Sequence, residues 1–353
     1  MLKILPYLKL AVEKNASDIF FTPNAPAMLK IEGEMLAVGK SLMTQSLIRE
    51  LVESVLTPEQ QAQFDAQQEI DLATDAGGLG RFRINVFTQR NSPAMVLRYV
   101  KSEVPTLDRL SVPEVLKDLI MLKRGMILMV GATGSGKSTT LAAMLNHRNE
   151  SATGHILTIE DPIEFVHPNK RSIVNQREVG TDTESYARAL KSSLREAPDV
   201  ILIGEVRVRE TMDAVIQLAN TGHLAISTLH ANNAYQALQR IINMYPDELR
   251  DQLYMDLSLT LRAIVSQRLV RRKDGRRCAA VEVMINTPFI ADLILNRRIE
   301  EIKDAMSASS DRGMLTFDAS LYRLYSDHLI DLDEALGNAD SRANLEAKIN
   351  FGV

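Results

Sequence analysis

Residues Gly131-Ala132-Thr133-Gly134-Ser135-Gly136-Lys137-Ser138-Thr139 fit the spacing G-x-x-x-x-G-K-S/T at every fixed position. Glycines at that spacing let successive backbone N–H groups curl around phosphate oxygens. The phosphate then sits at the positive end of the helix that follows. Lys137 adds a point charge, and the Ser138 hydroxyl can reach a Mg²⁺ ion. The context is the required one: Ile127 to Val130 predicts a buried strand, and Ser138 to Arg148 predicts a helix with Leu141, Ala142 and Leu145 on one face. We therefore expect a nucleoside triphosphate site on Thr133, Gly134, Ser135, Gly136, Lys137, Ser138 and Thr139.

Three further segments carry groups that could act on a bound triphosphate. Thr158-Ile159-Glu160-Asp161-Pro162-Ile163-Glu164 clusters acids just past a strand, at the edge where open parallel sheets bind ligands, so Glu164 or Glu160 could polarise water as a general base. Gly204-Glu205 follows the apolar run Val200 to Ile203, an arrangement that delivers a metal-directed acid beside a phosphate loop. Thr221 to His230 places one histidine, His223, before a buried strand and another, His230, at its far end, where it could donate to a phosphate oxygen. His147, His155, His167 and His328 show no metal-ligand spacing.

These residues need a scaffold, and the alternation of strand and helix patterns after residue 113 predicts a mainly parallel sheet covered by helices. Its strands are expected at His155 to Ile159, Val200 to Ile203 and Leu224 to Thr228, with a hairpin turn at Lys273-Asp274-Gly275-Arg276 and helices from Pro288 onward. Within Glu210 to Asn220, Met212, Val215, Ile216 and Ala219 recur at helical spacing and read as a core face. The first hundred residues predict a small α+β unit: a helix near 4–15, strands near 18–22, 27–32 and 34–38, helices near 45–55 and 58–66, and strands at Ile70 to Leu72 and Arg81 to Val86. In the last of these, period two sets Phe82, Ile84 and Val86 toward the core and Arg81 and Arg83 away from it. We place domains at 1–100 and 113–353, joined by a linker at 101–112 whose prolines interrupt periodicity.

Composition narrows the alternatives. A chain of 353 residues with 45% hydrophobic and 24% charged residues suits two globular domains, and its apolar runs are too short to span a bilayer. Met1 to Leu10 lacks a small-residue cleavage site, and Ile4, Leu5, Leu8 and Val12 fit an amphipathic helix, so the cytoplasm is the expected compartment. Cys278, the only cysteine, excludes an intrachain disulfide and a tetracysteine zinc site. A net charge of −4, no Trp and 5% aromatic residues give no reason to expect nucleic acid as a partner. The basic turn Arg271 to Arg277 could dock an acidic partner or be a solvated turn.

Taken together, GATGSGKSTT, TIEDPIEFVH, VNQREVG, LREAPDVILIGEVR and TGHLAISTLHANNA resemble motifs of the secretion ATPases, most closely the twitching-motility (type IV pilus retraction) ATPases of the PilT/PilU group. The resemblance implies an α/β fold: a RecA-like phosphate-loop motor domain with an N-terminal PAS-like α+β domain. It further implies a homohexamer in the cytoplasm, peripheral to the inner membrane beneath a pilus platform protein, and hydrolysis of ATP with Mg²⁺. On this resemblance Lys137 and Ser138 bind phosphate and Mg²⁺, Glu164 is the catalytic base, Glu205 orients metal or water, and His230 senses the γ-phosphate. Arg81, Arg83 and Arg98 match arginines that reach a nucleotide across the ring.

The chain departs from the family pattern in three places. It lacks the tetracysteine insert usual in assembly motors. It reads Gly204-Glu205-Val206-Arg207-Val208 where an acid often follows the arginine. It carries Pro288 to Asn296 where the principal retraction motor has an AIRNLIRE-like segment. With Ala197 before Pro198, and Leu315 to Asp318, these features point to the PilU-like, accessory branch, which implies a paralogous retraction ATPase as partner. A related secretion ATPase or a nucleic-acid translocase on the same core, and an ATP-binding scaffold ring with little turnover, are the competing readings.

Overall fold

The computed structural model describes residues 3–31, 33–100, 103–309 and 313–351. Lys101 and Ser102, the first residues of the expected linker, lie outside them. The chain divides into two compact units, one comprising Met1–Glu103 with Glu164–Val166, the other Val104–Ile163 with His167–Val353.

The first unit holds strands β1 (Asp18–Phe21), β2 (Ala27–Ile31), β3 (Glu34–Val38), β4 (Glu69–Asp75), β5 (Arg81–Gln89) and β6 (Ser92–Val100). They form one antiparallel sheet in the order β3-β2-β1-β6-β5-β4. Helices Leu5–Glu13, Gln45–Val55 and Pro58–Gln67 contribute to its core. Thr44 caps the second of these through Leu47 N, and Thr57 with Gln60 closes a capping box on the third, so each start is written locally. Alternation along β5 buries Phe82, Ile84 and Val86 while Arg81 and Arg83 face the other way.

Strand β6 has no counterpart in the sequence expectations, because no glycine marks the turn before it. Arg90 and Asn91 make that turn with φ of 47° and 59°, two consecutive left-handed residues that match the twist of a tight hairpin. In the stretch expected to be linker, Leu107–Leu110 forms a short helix capped by Thr106, and Leu107 is buried in the core of the second unit.

The second unit contains β7 (Gly125–Val130), β8 (Gly154–Glu160), β9 (Ser172–Glu178), β10 (Val200–Ile203), β11 (Leu224–Leu229), β12 (Leu261–Arg271) and β13 (Arg277–Ile285), in the order β13-β12-β7-β11-β10-β8-β9. Every neighbouring pair is parallel except β12 with β13. Because helices cover both faces, the central strands are mostly apolar: every residue of β7 and β10 is buried, and in β11 the Ser227 and Thr228 hydroxyls donate to the Ile203 and Gly204 carbonyls. Each fully buried Leu, Ile, Val or Met there contributes about 1.5–3 kcal/mol.

The structure goes beyond the sequence expectation in two places. The helix after the phosphate loop runs Lys137–Ser151 and is buried on most sides, with Ala143, Met144 and Asn146 inside as well as the predicted face, because it lies within a layer of the fold instead of on its surface. Strand β9 was also missed. Five of the seven residues in its sequence SIVNQRE are polar, and only its place at the end of the sheet tolerates that. Among the described residues no helix is long and apolar enough to cross a membrane.

Candidate nucleotide site

The parallel order β7-β11-β10-β8 brings four strand ends to one edge of the sheet. Val130 leads into the phosphate loop, Leu229 into His230, Ile203 into Gly204-Glu205, and β8 ends on Glu160. Segments separated by up to a hundred residues in sequence therefore share one edge, the ligand-binding edge of such sheets.

The helix Lys137–Ser151 begins without a side-chain cap, its N-cap being Gly136. By contrast, Asn233 caps the helix Ala234–Ile242 by accepting from Gln236 N at 2.9 Å. The uncapped helix keeps its first N–H groups for an anion. Lys137 donates to the Gly131 and Ala132 carbonyls at 2.7 and 2.8 Å, curling over its own loop. Burial pushes its ammonium below the usual lysine range, against the opposing effect of the Glu205 carboxylate.

Glu205 is largely buried. Its Oε1 pairs with Arg207, and its Oε2 lies 3.6 Å from His230 Nε2 with no hydrogen-bond partner among the described residues. Backbone bonds fix this corner: Val206 N donates to Thr228 O at 2.9 Å, and the Thr228 hydroxyl donates to Gly204 O at 2.6 Å. His230 is exposed, and its carbonyl accepts from Arg240 Nη1 at 2.9 Å. His230 and Ala132 of the loop line one open cavity of about 480 Å³.

These observations test whether the residues fit a nucleotide with Mg²⁺. An uncapped helix start, a lysine turned onto its own loop, an exposed Ser138 and an orphaned carboxylate oxygen on Glu205 form a coherent donor and acceptor set for that ligand. The residues fit.

The acidic segment divides. Glu160 accepts from the Thr158 hydroxyl at 2.6 Å and from Gln176 Nε2 at 3.3 Å, so it is held by its own sheet. Glu164 is exposed and belongs, with Phe165 and Val166, to the first compact unit. In that unit Arg83 and Arg98 are cross-strand partners, and Arg98 in turn lies opposite Asp18. Arg98 Nε binds Asp18 Oδ1 at 2.8 Å, with the carboxylate buried and the arginine exposed. Arg81 lies two residues earlier on the same face of β5 as Arg83.

Sequence reasoning missed Tyr186. Its hydroxyl is buried without a hydrogen-bond partner among the described residues, and its phenol is pushed up by burial first and then by Asp161, Glu205 and Glu160. It sits among the very acids singled out above. Nothing in its local pattern announces this, because Tyr186 opens an ordinary Ser185-capped helix.

A parallel sheet carrying a phosphate loop at its C-terminal edge, with an acid and a histidine from neighbouring strand ends, defines a RecA-like phosphate-loop nucleotide-binding domain. Residues 3–311 match the Type II/IV secretion system protein family, and the chain belongs to that family. It is 49% identical to the type IV pilus ATPase PilU of Pseudomonas aeruginosa, over 98% of this chain and 91% of that protein. It is 37% identical to the type IV pilus retraction ATPase PilT of the same organism, over 94% and 96% of the two chains. The crystal structure of the pilus retraction motor PilT with bound ADP superposes with a TM-score of 0.91 at 39% identity, covering 98% of this chain and 99% of that one.

Proposed function

We propose that the chain is a Mg²⁺-dependent ATPase that works as a ring, expected to be a homohexamer, and converts hydrolysis into retraction of a type IV pilus. The observation that carries this reading is the meeting of Lys137, Glu205 and His230 at one edge of a parallel sheet. Near full-length similarity to PilU and PilT supports the motor assignment.

In this reading the N–H groups of the loop from Thr133 to Thr139, and the Lys137 ammonium, bind the phosphates. Leaving its own carbonyls costs Lys137 two hydrogen bonds, which charge-assisted bonds to phosphate replace. Ser138 and Glu205 would hold Mg²⁺, directly or through water, and the ion would supply positive charge against the charge that develops during phosphoryl transfer. Glu205 keeps Oε2 ready for that duty because Arg207 engages only Oε1. His230, 3.6 Å from Oε2, would register whether the γ-phosphate is present and pass that to its loop through Arg240. Glu164 acts as the base that positions water. Arg81, Arg83 and Arg98 serve a site on another subunit, which places hydrolysis under the control of neighbours.

The greater identity to PilU than to PilT, 49% against 37%, supports the accessory branch. On that reading the partners are a paralogous retraction ATPase and an inner-membrane platform protein, and the location is the cytoplasmic face of that membrane. The test is pilus retraction in cells that express this chain but lack the paralogous motor. Loss of retraction with ATPase activity intact supports an accessory motor; full-frequency retraction overturns the accessory role while leaving the retraction reading in place.

A further inference from the structure

Strand β12 runs parallel to β7 with Ser266 opposite Val130, the last residue before the phosphate loop. The next residue of β12, Gln267, is therefore level with Gly131, where the loop begins. It is 2% exposed, and both ends of its side-chain amide are engaged. Gln267 Nε2 donates to the Ser135 carbonyl at 2.8 Å, and Gln267 Oε1 accepts from the Thr140 hydroxyl at 2.8 Å. The loop also lies tightly against this residue. A Cβ at Gly136 would stand 2.7 Å from Gln267 Nε2, and one at Gly131 would stand 2.5 Å from the Gln267 carbonyl oxygen.

A trans peptide is planar, with its C=O and its N–H pointing in opposite directions. Drawing the Ser135 carbonyl outward onto Gln267 therefore turns the Gly136 N–H inward, into the concave side of the loop. The bond to Thr140, one turn into the following helix, keeps the amide from rotating so that Nε2 stays on the carbonyl. Buried amides with both ends satisfied hold a fixed orientation, since turning one over would orphan two polar groups at about 1–3 kcal/mol each.

We propose that Gln267 is a positioning residue for nucleotide binding: it presets the Ser135–Gly136 peptide so that the Gly136 N–H faces the phosphate before ligand arrives. The inference rests on the nucleotide-site reading above and adds to it a residue from a strand 130 positions away in the chain. Gln267 touches no reacting atom, so its effect falls on ground-state binding. Preorganisation of this kind lowers the ordering cost of association.

The test titrates ADP into the full-length protein by calorimetry, alongside steady-state ATP turnover and the melting temperature without nucleotide. Gln267→Met keeps length and removes both hydrogen bonds; it should weaken ADP binding at least tenfold and raise KM for ATP by a similar factor. kcat at saturating ATP should stay within about threefold of the parent. Thr140→Val, which leaves Nε2 on Ser135 but frees the amide to turn, should weaken ADP binding about threefold. A folded Gln267→Met protein with ADP affinity within twofold of the parent overturns the proposal, as does a fall in kcat with KM unchanged. Should Gln267→Met fail to fold, Thr140→Val carries the test, and parental affinity in that variant overturns it. Lys137→Ala separates the two readings. If that variant binds ADP like the parent, the nucleotide-site assignment itself fails, whereas lost binding there with none lost at Gln267 overturns only the positioning role.

Discussion

The two sheets of this protein hold the side chains proposed to act on nucleotide in different places. In the first unit the sheet is antiparallel, and the arginines stand along the face of β5 and β6, alternating with buried Phe82, Ile84 and Leu97. In the second the sheet is mainly parallel and its strands β7, β10 and β11 carry no charged side chain, so the groups proposed for the chemistry lie at the strand ends: the loop after β7, Glu205 after β10, His230 after β11. A sheet with one solvated face can carry charge along a strand. One buried on both faces cannot, because an unpaired buried charge costs several kcal/mol.

The sharpest way to break the comparison is Lys137→Ala. If the strand-end groups are the catalytic set, ATP turnover should fall by at least a thousandfold with the fold retained, read as phosphate release and circular dichroism. Undiminished turnover in a folded Lys137→Ala protein would falsify the site.

Glu205→Ala and Glu164→Ala come next. Each should lower kcat by about a hundred- to a thousandfold while ATP binding remains measurable, since both are assigned to metal or water instead of to phosphate affinity. If Glu160→Ala alone reproduces the loss seen for neither of these, the base lies within the sheet of the second unit.

The face of the first sheet can be tested against its own ion pair. Arg98→Ala should reduce turnover at least tenfold, whereas Asp18→Ala, which deletes the same ion pair from its other end, should leave turnover within about threefold. Equal losses in both would mean that Arg98 serves only its own sheet. Mixed rings of inactive Arg98→Ala and inactive Lys137→Ala subunits should regain activity; failure of verified mixed rings to do so argues that Arg98 does not serve a neighbour.

The smallest effects are on stability, and they set two buried groups of the second unit against each other. Burial pushes His167 down to about 4. Between about pH 6.5 and 4 the unfolded chain therefore holds the extra proton, and stability falls as pH falls, by at most about 3 kcal/mol. Burial pushes Glu282 up to about 7, despite hydrogen bonds from Ala234 N and the Ser266 hydroxyl. Its contribution is fully present below about pH 4.5 and is lost as pH rises through 7, by a similar amount. Denaturant unfolding should show His167→Gln flattening the acid limb and Glu282→Gln gaining stability relative to the parent at pH 8. A parental pH profile in both variants rules out these linkages.

Much was legible from the chain alone because the signals were local. The phosphate loop is a contiguous spacing, the helices expected near 45–55 and 58–66 start at Thr44 and Thr57, which cap them, and alternation along Arg81 to Val86 states which face is buried. The α/β fold with a mainly parallel second sheet followed from the order of those elements, and the family resemblance from the motifs they carry. Strand β6 escaped because its turn uses Arg90 and Asn91 in left-handed conformations without a glycine, and β9 because its polar residues mask a strand at the sheet's end.

Tertiary structure alone decided the order of strands, and with it which groups meet. No local pattern puts Glu205 Oε2 3.6 Å from His230, places the Tyr186 hydroxyl among three acids, or sets Gln267 beneath a loop that begins at Gly131. These contacts join residues far apart in sequence through parallel pairing, which depends on how crossover helices pack and not on any short run of residues. The chain's own spacing determined that a phosphate could bind; the strand order determined what stands around it.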